Sequence, residues 1–404
     1  MGAYERDNFG DLLFLLVTER YLEGADVVAA APFAADMRKL LGRRIPAFGP
    51  LLRDEAFDAV WTVGGQVGRV DLERAYKMSA TPRAWRRYAR ASETRRRAIL
   101  RRRTGGVTIG APYIPLTGDF PRNAQTLTVL NSVGIAGVRG IEPARREPIV
   151  AALHAAGAVT VRDRGSSAFL ADLGVEHRLL PDAVHALGVL EPAVQTGDTA
   201  IVQVSRSRLR MLGHARLGAT LAASPQLAGR PIRLLLAGTA TGHDSADDYD
   251  RVVRAARRRS RGIDIAILDE RRPLELARHI QRASVAIGTS LHVRIVAAAF
   301  GVPRVSLPKP KPTRYARQWD PDMPFDAGLE DIDAGVEAAL RRSRTAEAAT
   351  HAEALSTAAH EQLERLAALV AARTRSFSIN LMGNVENASY QRHRPGLRPW
   401  RGHR

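Results

Sequence analysis

A histidine at the end of an apolar strand is the residue in this sequence best suited to acid–base chemistry. Residues 286–292 read Ala-Ile-Gly-Thr-Ser-Leu-His, which predicts a strand, a tight turn at Gly288 and then a helix. Thr289 or Ser290 would cap that helix. His292 then lies in the first helical turn, where free backbone N–H groups favour a bound phosphate. Such an anion would restore the imidazolium that the helix dipole disfavours, so His292 could exchange protons near neutral pH. The alternative is a histidine that only packs against the sheet.

An arginine occupies a similar position after an earlier predicted strand. Arg162 follows the strand at residues 159–161 and precedes a helix that Ser166 or Ser167 would cap. A guanidinium at this place can bind a carboxylate or a phosphate through paired N–H donors. Asp163 would orient the arginine or cap the turn. The alternative is a surface arginine, since 56 of the 60 basic residues are arginines and most of them serve no site.

Two glycine-containing turns complete the set of candidate positions. In the turn Asn-Phe-Gly-Asp that begins at Asn8, Gly10 permits a close approach of the backbone. Asp11 would cap the following helix or accept a hydrogen bond from a sugar hydroxyl, and capping is the simpler role. Gly64 and Gly65 follow a predicted strand, which indicates a backbone that faces a ligand.

Short apolar strands alternate with amphipathic helices along the chain, a pattern typical of α/β architecture. The predicted strands are residues 26–30, 59–63, 107–109 and 159–161 in a first unit, and 200–204, 232–236, 263–268, 284–287 and 305–307 in a second. The predicted helices include residues 12–22, 148–156 and 291–300 and an alanine-rich stretch at 331–374. Ligands of such sheets bind beyond the carboxyl ends of the strands, so this architecture would gather the candidate residues at one edge.

The length of 404 residues exceeds what one hydrophobic core usually serves, so two domains are expected. The pattern predicts a GT-B-like fold, with two doubly wound Rossmann-like domains, a cleft between them, C-terminal helices and a mobile tail. The assigned segments are 1–185 (N-terminal Rossmann-like domain, acceptor side), 199–330 (C-terminal Rossmann-like domain, donor side), 331–374 (C-terminal helices) and 375–404 (basic flexible tail), with a linker at 186–198.

Composition limits the classes of function. The absence of cysteine excludes disulfides, cysteine-ligated zinc and a thiol nucleophile. No apolar run approaches the roughly 20 residues of a membrane helix, and the N-terminus has no signal-peptide pattern. We therefore expect a cytoplasmic protein, associated with the inner membrane face only peripherally if at all.

The net charge of +18 favours anionic partners. Phosphorylated metabolites, lipid-linked diphosphate sugars and acidic membrane surfaces all qualify. Nucleic acid is disfavoured as a partner, because aromatic residues make up only 5% of the chain and no basic stripe interleaved with aromatics is present. GC-rich codons produce such an excess of arginine over lysine without selection for nucleic-acid binding.

Taken in order, the candidate segments resemble the polysaccharide pyruvyl transferase family. Its members show an N-x-G-D turn, a strand that runs into Gly-Gly, a V-R-D-x-x-S segment ending in L-G and followed by P-D, and an S-L-H or R-L-H turn before a G-V-P. The corresponding residues here are 8–11, 64–65, 161–174 with 181–182, and 290–292 with 301–303. The resemblance spans roughly residues 7–310.

The resemblance implies transfer of the enolpyruvyl group of phosphoenolpyruvate to two hydroxyls of a sugar or lipid-linked glycan, giving a cyclic ketal and phosphate. Arg162 would bind the donor, and His292 would be the general acid–base. The leaving phosphate would rest on the helix start at Thr289 and Ser290. The acceptor side of the cleft would be lined by Asn8, Gly10, Asp11, Gly64 and Gly65. The reaction requires no metal and no cofactor beyond the donor substrate.

The chain departs from the family pattern in three places. Some members have a phosphate-binding arginine where Ser290 stands, so Arg294, Lys309 or Lys311 would supply the missing charge. Val293 replaces a residue that is often small. The chain begins only seven residues before Asn8, which suggests a short or absent first strand and an upstream start codon or a truncated sequence.

Two other functions are compatible with the sequence. A GT-B glycosyltransferase with a nucleotide-sugar donor would need an acid for the ribose hydroxyls, and Asp269 or Glu270 could provide it. A non-catalytic basic scaffold would instead bind nucleic acid in a salt-sensitive way. The transferase hypothesis predicts that Arg162 and His292 face the cleft, with their side-chain tips within roughly 10–12 Å of each other.

Overall fold

The computed structural model describes residues 1–107 and 110–383, with side chains through residue 373. The strands in this part of the chain are β1 (Ala35–Asp36), β2 (Arg44–Ile45), β3 (Ala59–Val63), β4 (Leu127–Val133), β5 (Ala158–Val161), β6 (Arg178–Leu179), β7 (Ala200–Gln203), β8 (Ile232–Leu234), β9 (Ile265–Ile267), β10 (Val285–Gly288) and β11 (Arg304–Ser306). The α-helices are α1 (Phe9–Glu19), α2 (Arg38–Leu41), α3 (Phe48–Asp54), α4 (Leu72–Ser79), α5 (Pro82–Ala89), α6 (Glu93–Arg103), α7 (Pro143–Ala155), α8 (Arg164–Asp172), α9 (Leu187–Leu190), α10 (Arg206–Leu212), α11 (His214–Ala223), α12 (Ala246–Arg259), α13 (Pro273–Gln281), α14 (Leu291–Ala299), α15 (Pro310–Trp319), α16 (Ile332–Arg342) and α17 (Ala346–Gly383). None of these helices combines the length and the apolar character needed to cross a bilayer.

Two parallel sheets form the framework. The first has the strand order β3-β4-β5-β6, and the second has the order β11-β10-β7-β8-β9. Parallel pairing requires a crossover between neighbouring strands, and helices supply most of these crossovers. The predicted GT-B-like α/β fold with two parallel sheets is therefore confirmed. We refer below to the first sheet with its helices as the N-terminal half, and to the second as the C-terminal half.

The second sheet contains a reversal of strand order between β7 and β10. These strands pair directly, with Gly288 opposite Gln203 at their carboxyl ends. From this pair the sheet grows through β8 and β9 on one side and through β11 on the other. Ligands of open α/β sheets bind in the crevice that opens at such a reversal. The turn that leads from β10 to His292 begins at this point.

The first sheet corrects two predictions about strands. The predicted strand at residues 26–30 is wrong, because this segment pairs with no neighbouring strand, and Val27 and Val28 are 37% and 42% exposed. In the predicted strand at 107–109, Val107 is irregular, and residues 108–109 lie outside the described residues. The second strand of the sheet is instead β4, which was not predicted from the sequence.

Three helical boundaries also differ from the prediction. Pro148, which was predicted to begin a helix, lies inside α7. The proline in the first turn of α7 is Pro143. Helix α8 is capped by Asp163 rather than by Ser166 or Ser167. Helix α17 continues to Gly383, beyond the predicted boundary at 374, while residues 384–404 of the predicted tail lie outside the described part of the chain.

One apolar cluster joins the two halves. It includes Phe9, Leu13, Phe14 and Val17 of α1, Trp61 and Val63 of β3, Val293, Ile295 and Val296 of α14, and Leu363 and Leu366 of α17. Burial of each large apolar side chain contributes about 1.5–3 kcal/mol. Helix α1 therefore packs against both sheets, and its first turn is held next to the start of α14.

Candidate active site

The turn between β10 and α14 positions His292. Ser290 is the N-cap of α14, and its hydroxyl accepts a hydrogen bond from Val293 N at 3.4 Å. The buried hydroxyl of Thr289 accepts from Ser205 N at 2.8 Å and lies 3.3 Å from Gln203 Oε1. Thr289 thus ties α14 to the end of β7 through its side chain, and His292 projects from the first turn of a rigidly held helix.

The His292 ring packs against α1. Phe14 meets it edge-on, with ring centroids 5.2 Å apart, and a Cβ added to Gly10 would overlap the ring at Nδ1. The side chain is 14% exposed, and the buried Nε2 atom has no hydrogen-bond partner among the described residues. Burial lowers the pKa of His292 to about 4, although the negative charge of Asp182 opposes this shift. The ring is therefore neutral at physiological pH and can accept a proton.

Arg162 and Asp182 form a buried ion pair beside this ring. Arg162 Nη1 donates to Asp182 Oδ2, and the guanidinium lies over the Phe14 ring at 5.4 Å. The same Oδ2 atom is 4.0 Å from His292 Nε2. Because one carboxylate oxygen lies next to both side chains, the tips of Arg162 and His292 are closer together than the predicted limit.

Asp182 itself was missed as a site residue in the sequence. Its Oδ1 accepts from Val184 N at 3.0 Å, and its backbone N–H donates to the Tyr315 hydroxyl at 3.1 Å. That hydroxyl also lies 2.9 Å from His185 Nε2. The carboxylate is fully buried and fixed from several sides. The signal in the sequence was the Pro-Asp pair of the family pattern, to which no role was given.

The turn at Asn8 reaches the same site from the N-terminal half. Asp11 accepts hydrogen bonds from Asn8 Nδ2 at 2.8 Å and from Arg6 Nη2 at 3.0 Å. Helix α1 has no side-chain cap, so the expected capping role of Asp11 is not what the structure shows. Asp11 instead lies in the first turn of α1, next to Gly10 and near His292.

The two glycines after β3 also belong to this region. Gly64 and Gly65 have φ angles of +63° and +78°, in the left-handed region where L side chains are strained. A Cβ at Gly64 would overlap the Phe14 ring, and one at Gly65 would lie 3.9 Å from Asp11 Oδ1. Gly64 therefore leaves room for the aromatic ring that supports both His292 and Arg162.

A cavity of about 460 Å³ lies between the two halves next to the ion pair. Its walls are formed by Gln66, Ala136, Arg162, Asp163, Arg164, Gly165, Leu291, Lys311, Arg314, Tyr315, Arg317 and Gln318. Among these described residues the one carboxylate, of Asp163, accepts from Ser166 N and Oγ, both at 2.8 Å, as the cap of α8. The cavity is therefore positively charged and suited to an anion.

The candidate basic residues of the C-terminal half lie in different places. Lys311 lines the cavity with part of its side chain exposed, and crowding by protein atoms lowers its pKa, as does the charge of Arg162. Lys309 does not line it, and burial lowers its pKa while Asp244 raises it. Arg294 points away from the site, since it pairs with Asp320 at 2.7 Å in the buried interior.

The acid proposed for a ribose-binding site is already engaged. Glu270 Oε1 accepts from the backbone N–H groups of Arg271 and Arg272, both at 2.7 Å, and its Oε2 accepts from the Arg272 guanidinium at 3.0 Å. Asp269 is exposed. The structure therefore brings Asn8, Gly10, Asp11, Gly64, Arg162 and His292 together, with Lys311 on the cavity wall, and leaves Arg294 and Glu270 elsewhere.

Comparison with protein families gives one match. A model described as polysaccharide pyruvyl transferase matches residues 105–308, just over half of the chain. Arg162, Asp182 and His292 lie inside the matched range, whereas the turn at Asn8 and the two glycines after β3 precede it. No curated protein matches the chain.

Several solved structures are similar at low sequence identity. UDP-GlcNAc 2-epimerase from Neisseria meningitidis, bound to UDP-GlcNAc, is 10% identical with a TM-score of 0.43, over 60% of this chain and 70% of that one. The Methanocaldococcus jannaschii UDP-GlcNAc 2-epimerase is 13% identical with a TM-score of 0.35, over 52% of this chain, which spans 62% of that protein's length. Sucrose-phosphate synthase from Thermosynechococcus elongatus is 16% identical with a TM-score of 0.32, over 64% and 68% of the two chains.

Proposed function

Because this chain belongs to the polysaccharide pyruvyl transferase family, we propose that it transfers the pyruvyl group of phosphoenolpyruvate to two hydroxyls of a sugar or glycan as a cyclic ketal. The observation that carries this proposal is the buried Asp182 carboxylate, which lies next to both His292 and Arg162, and Arg162 lines a positively charged cavity. An anion-binding group and a proton acceptor are thereby held side by side, as the reaction requires.

The cavity fits a small donor that carries a carboxylate and a phosphate. Arg162, Lys311, Arg314 and two further arginines line it, and this excess of positive charge favours a ligand with several negative charges. One N–H group of Arg162 already donates to Asp182, and this bond keeps the guanidinium in place. The remaining N–H groups of Arg162 would bind the donor. Ser290 and the free N–H groups at the start of α14 would receive the departing phosphate.

Proton transfer is the role that we assign to His292. Its low pKa leaves the ring neutral, so Nε2 can take the proton of an attacking sugar hydroxyl. In the whole reaction two C–O bonds form at C2 of the donor, and its C2–O bond to phosphate breaks. One hydroxyl proton ends on C3, which becomes the methyl carbon, and the other ends on phosphate. Asp182, 4.0 Å from Nε2, stabilises the imidazolium that forms in between.

The acceptor would enter from the side of the N-terminal half. Asn8 and Asp11 offer polar groups there. Hydroxyls of a sugar bind to such amide and carboxylate groups through direct hydrogen bonds.

Thermal unfolding with candidate donors tests the proposal. A ligand that binds only the folded protein raises Tm, by an amount that follows from its Kd. We expect phosphoenolpyruvate to raise Tm, and UDP-sugars to leave it unchanged. Stabilisation by a UDP-sugar alone would instead favour the glycosyltransferase function. Binding of nucleic acid with no response to either donor would favour the basic scaffold. Release of inorganic phosphate from phosphoenolpyruvate in the presence of sugar acceptors then measures the transfer itself.

A further inference from the structure

The helical hairpin α5–α6 carries an unusual density of positive charge. Residues 82–103 contain ten arginines and a single acidic residue, Glu93. Five of these arginines surround an open groove of about 440 Å³, and we call them the arginine face: Arg83, Arg86, Arg87, Arg90 and Arg95. The general arginine bias of the chain does not by itself explain this cluster, because these five guanidinium groups surround one groove.

The arginine face is not neutralised within the protein. Within residues 1–107 and 110–373, no acidic side chain pairs with any of its five members, and Glu93 pairs with Arg97 instead. By contrast, other arginines of the chain are held in buried ion pairs, as Arg162 and Arg294 are. Five exposed guanidinium groups that repel one another are unfavourable for folding alone. Their juxtaposition therefore points to an external anion.

The spacing of these residues places them on one side of a helix. Arg83, Arg86 and Arg87 are at positions i, i+3 and i+4 of α5, and Arg90, its C-cap, follows at i+7, so all four share one exposed side. The opposite side of α5 packs inward through the buried Tyr88. A charged face of this shape can contact many anionic groups arranged in a plane.

A loop that contacts the α1 turn of the proposed active site also contacts the chain just before α5. Thr241, in the loop after β8, donates through its hydroxyl to Ala80 O at 2.8 Å, two residues before α5 begins. The same loop contains His243. Burial lowers the pKa of this histidine, and the negative charge of Asp11 in the α1 turn opposes that shift. The loop thus connects the cleft with the start of the arginine face.

We propose that the arginine face docks the protein on an anionic lipid bilayer, with the cleft opening at the membrane surface. The proposal rests on the proposed function in one respect, the expectation of a lipid-linked glycan acceptor. A bilayer fits the arginine face better than nucleic acid does, because the nearby aromatic rings already pack against other side chains and cannot stack on bases. Trp85 stacks on Tyr88 at 5.3 Å and is covered by Lys77, so it offers no surface for stacked bases.

Sedimentation with lipid vesicles tests this inference on the whole protein. We expect binding to vesicles that contain phosphatidylglycerol, none to pure phosphatidylcholine vesicles, and loss of binding as salt is raised. The quadruple variant R83Q/R86Q/R87Q/R90Q should bind the anionic vesicles at least about tenfold more weakly. Glutamine is a good helix former, so α5 should remain folded, which circular dichroism checks.

A matched variant separates this surface from net charge. R251Q/R254Q/R258Q/R259Q removes the same number of exposed arginines from α12 and should keep its affinity for vesicles. Equal loss in both variants, or no binding of the unmodified protein to anionic vesicles, would overturn the proposal. So would tight binding of duplex DNA or RNA through the arginine face without vesicle binding. Stabilisation by phosphoenolpyruvate should be the same in both variants, so a failure of docking is distinguishable from a failure of the proposed reaction.

Discussion

The Asp182 carboxylate lies 4.0 Å from Nε2 of His292. The same oxygen accepts a hydrogen bond from Arg162. A donor bound to Arg162 would therefore lie within reach of the imidazole without a large movement of either side chain. The proposed chemistry depends on this shared carboxylate.

Replacement of the histidine should abolish most turnover. We expect His292→Ala to lower kcat by roughly 100- to 10,000-fold with little change in donor affinity, because a general acid–base group is lost. Steady-state kinetics with phosphoenolpyruvate would measure this. His177→Ala is the control, since that ring contacts Ser167 and Val175 rather than the cleft. A fully active His292→Ala enzyme would return His292 to a packing role.

Replacement of Asp182 should affect both stability and turnover. Asp182→Ala leaves the buried Arg162 guanidinium without its partner, which costs about 3–5 kcal/mol of unfolding free energy. Asp182→Asn keeps a hydrogen-bond acceptor, so its stability should fall less while kcat still falls. Urea denaturation and kinetics on the folded protein would separate the two effects. An Asp182→Asn enzyme with unchanged kcat would show that the carboxylate only supports the fold.

Arg162→Ala should differ from both Asp182 variants, by raising KM for the donor.

A single methyl group at Gly10 should displace the histidine ring. Alanine is a good helix former, but its Cβ would overlap His292 Nδ1. We expect Gly10→Ala to lower kcat by roughly 100-fold, since small misplacements of a catalytic group are costly. Gly140→Ala, where a Cβ meets nothing within 4 Å, should be silent. In a background of His292→Ala, the change at Gly10 should have no further effect, and a persistent loss there would contradict the explanation.

Lys311 and Arg294 should give contrasting phenotypes. Lys311→Met removes a charge from the cavity wall, so KM for phosphoenolpyruvate should rise about 10-fold or more. Arg294→Met should leave KM unchanged but lower the unfolding free energy by about 3 kcal/mol, because it breaks the buried pair with Asp320. Kinetics and thermal unfolding of both variants check this. A raised KM in Arg294→Met alone would show that the wrong cation had been chosen.

The protonation of His292 should depend on the ligand. Its folded pKa of about 4 lies below the unfolded value of 6.5, so its contribution to stability is complete above pH 6.5 and is lost as the pH falls through 4. His185, whose pKa burial also lowers to about 4, acts in the same direction. Histidine NMR titration should show a neutral His292 at pH 5.5, and added phosphate should raise its pKa. A ligand-free titration near 6.5 would contradict this environment.

Local patterns were sufficient to find the residues at strand ends. His292 and Arg162 follow apolar strands directly, and parallel sheets bring such ends together. The strand β4 was not found, because Thr128, Asn131 and Ser132 interrupt its apolar run, although all three are buried in the structure. Two of these side chains accept hydrogen bonds from partners distant in the sequence. Asn131 Oδ1 accepts from Thr160 Oγ1 at 2.8 Å, and Ser132 Oγ accepts from Ala183 N at 2.9 Å.

The directions of side chains required the packed structure. Arg294 is two residues after His292, and two residues turn a helix by about 200°. The two side chains therefore point to opposite sides of α14, one toward the cleft and the other toward Asp320. The importance of Asp182 depended on its burial next to Arg162, which lies in a different segment of the chain. No local pattern reports such a contact.

The apolar cluster that α1 and α17 form with both sheets limits where this protein can be divided to make chimaeras with its relatives. A cut at residues 186–198 looks attractive, but it would separate α1 from the C-terminal half and α17 from the N-terminal half. Leu13, Phe14, Leu363 and Leu366 would then be exposed to water. Chimaeras that exchange one half should therefore keep α1 and α17 together with the surfaces against which they pack, and fragments expressed alone are expected to aggregate.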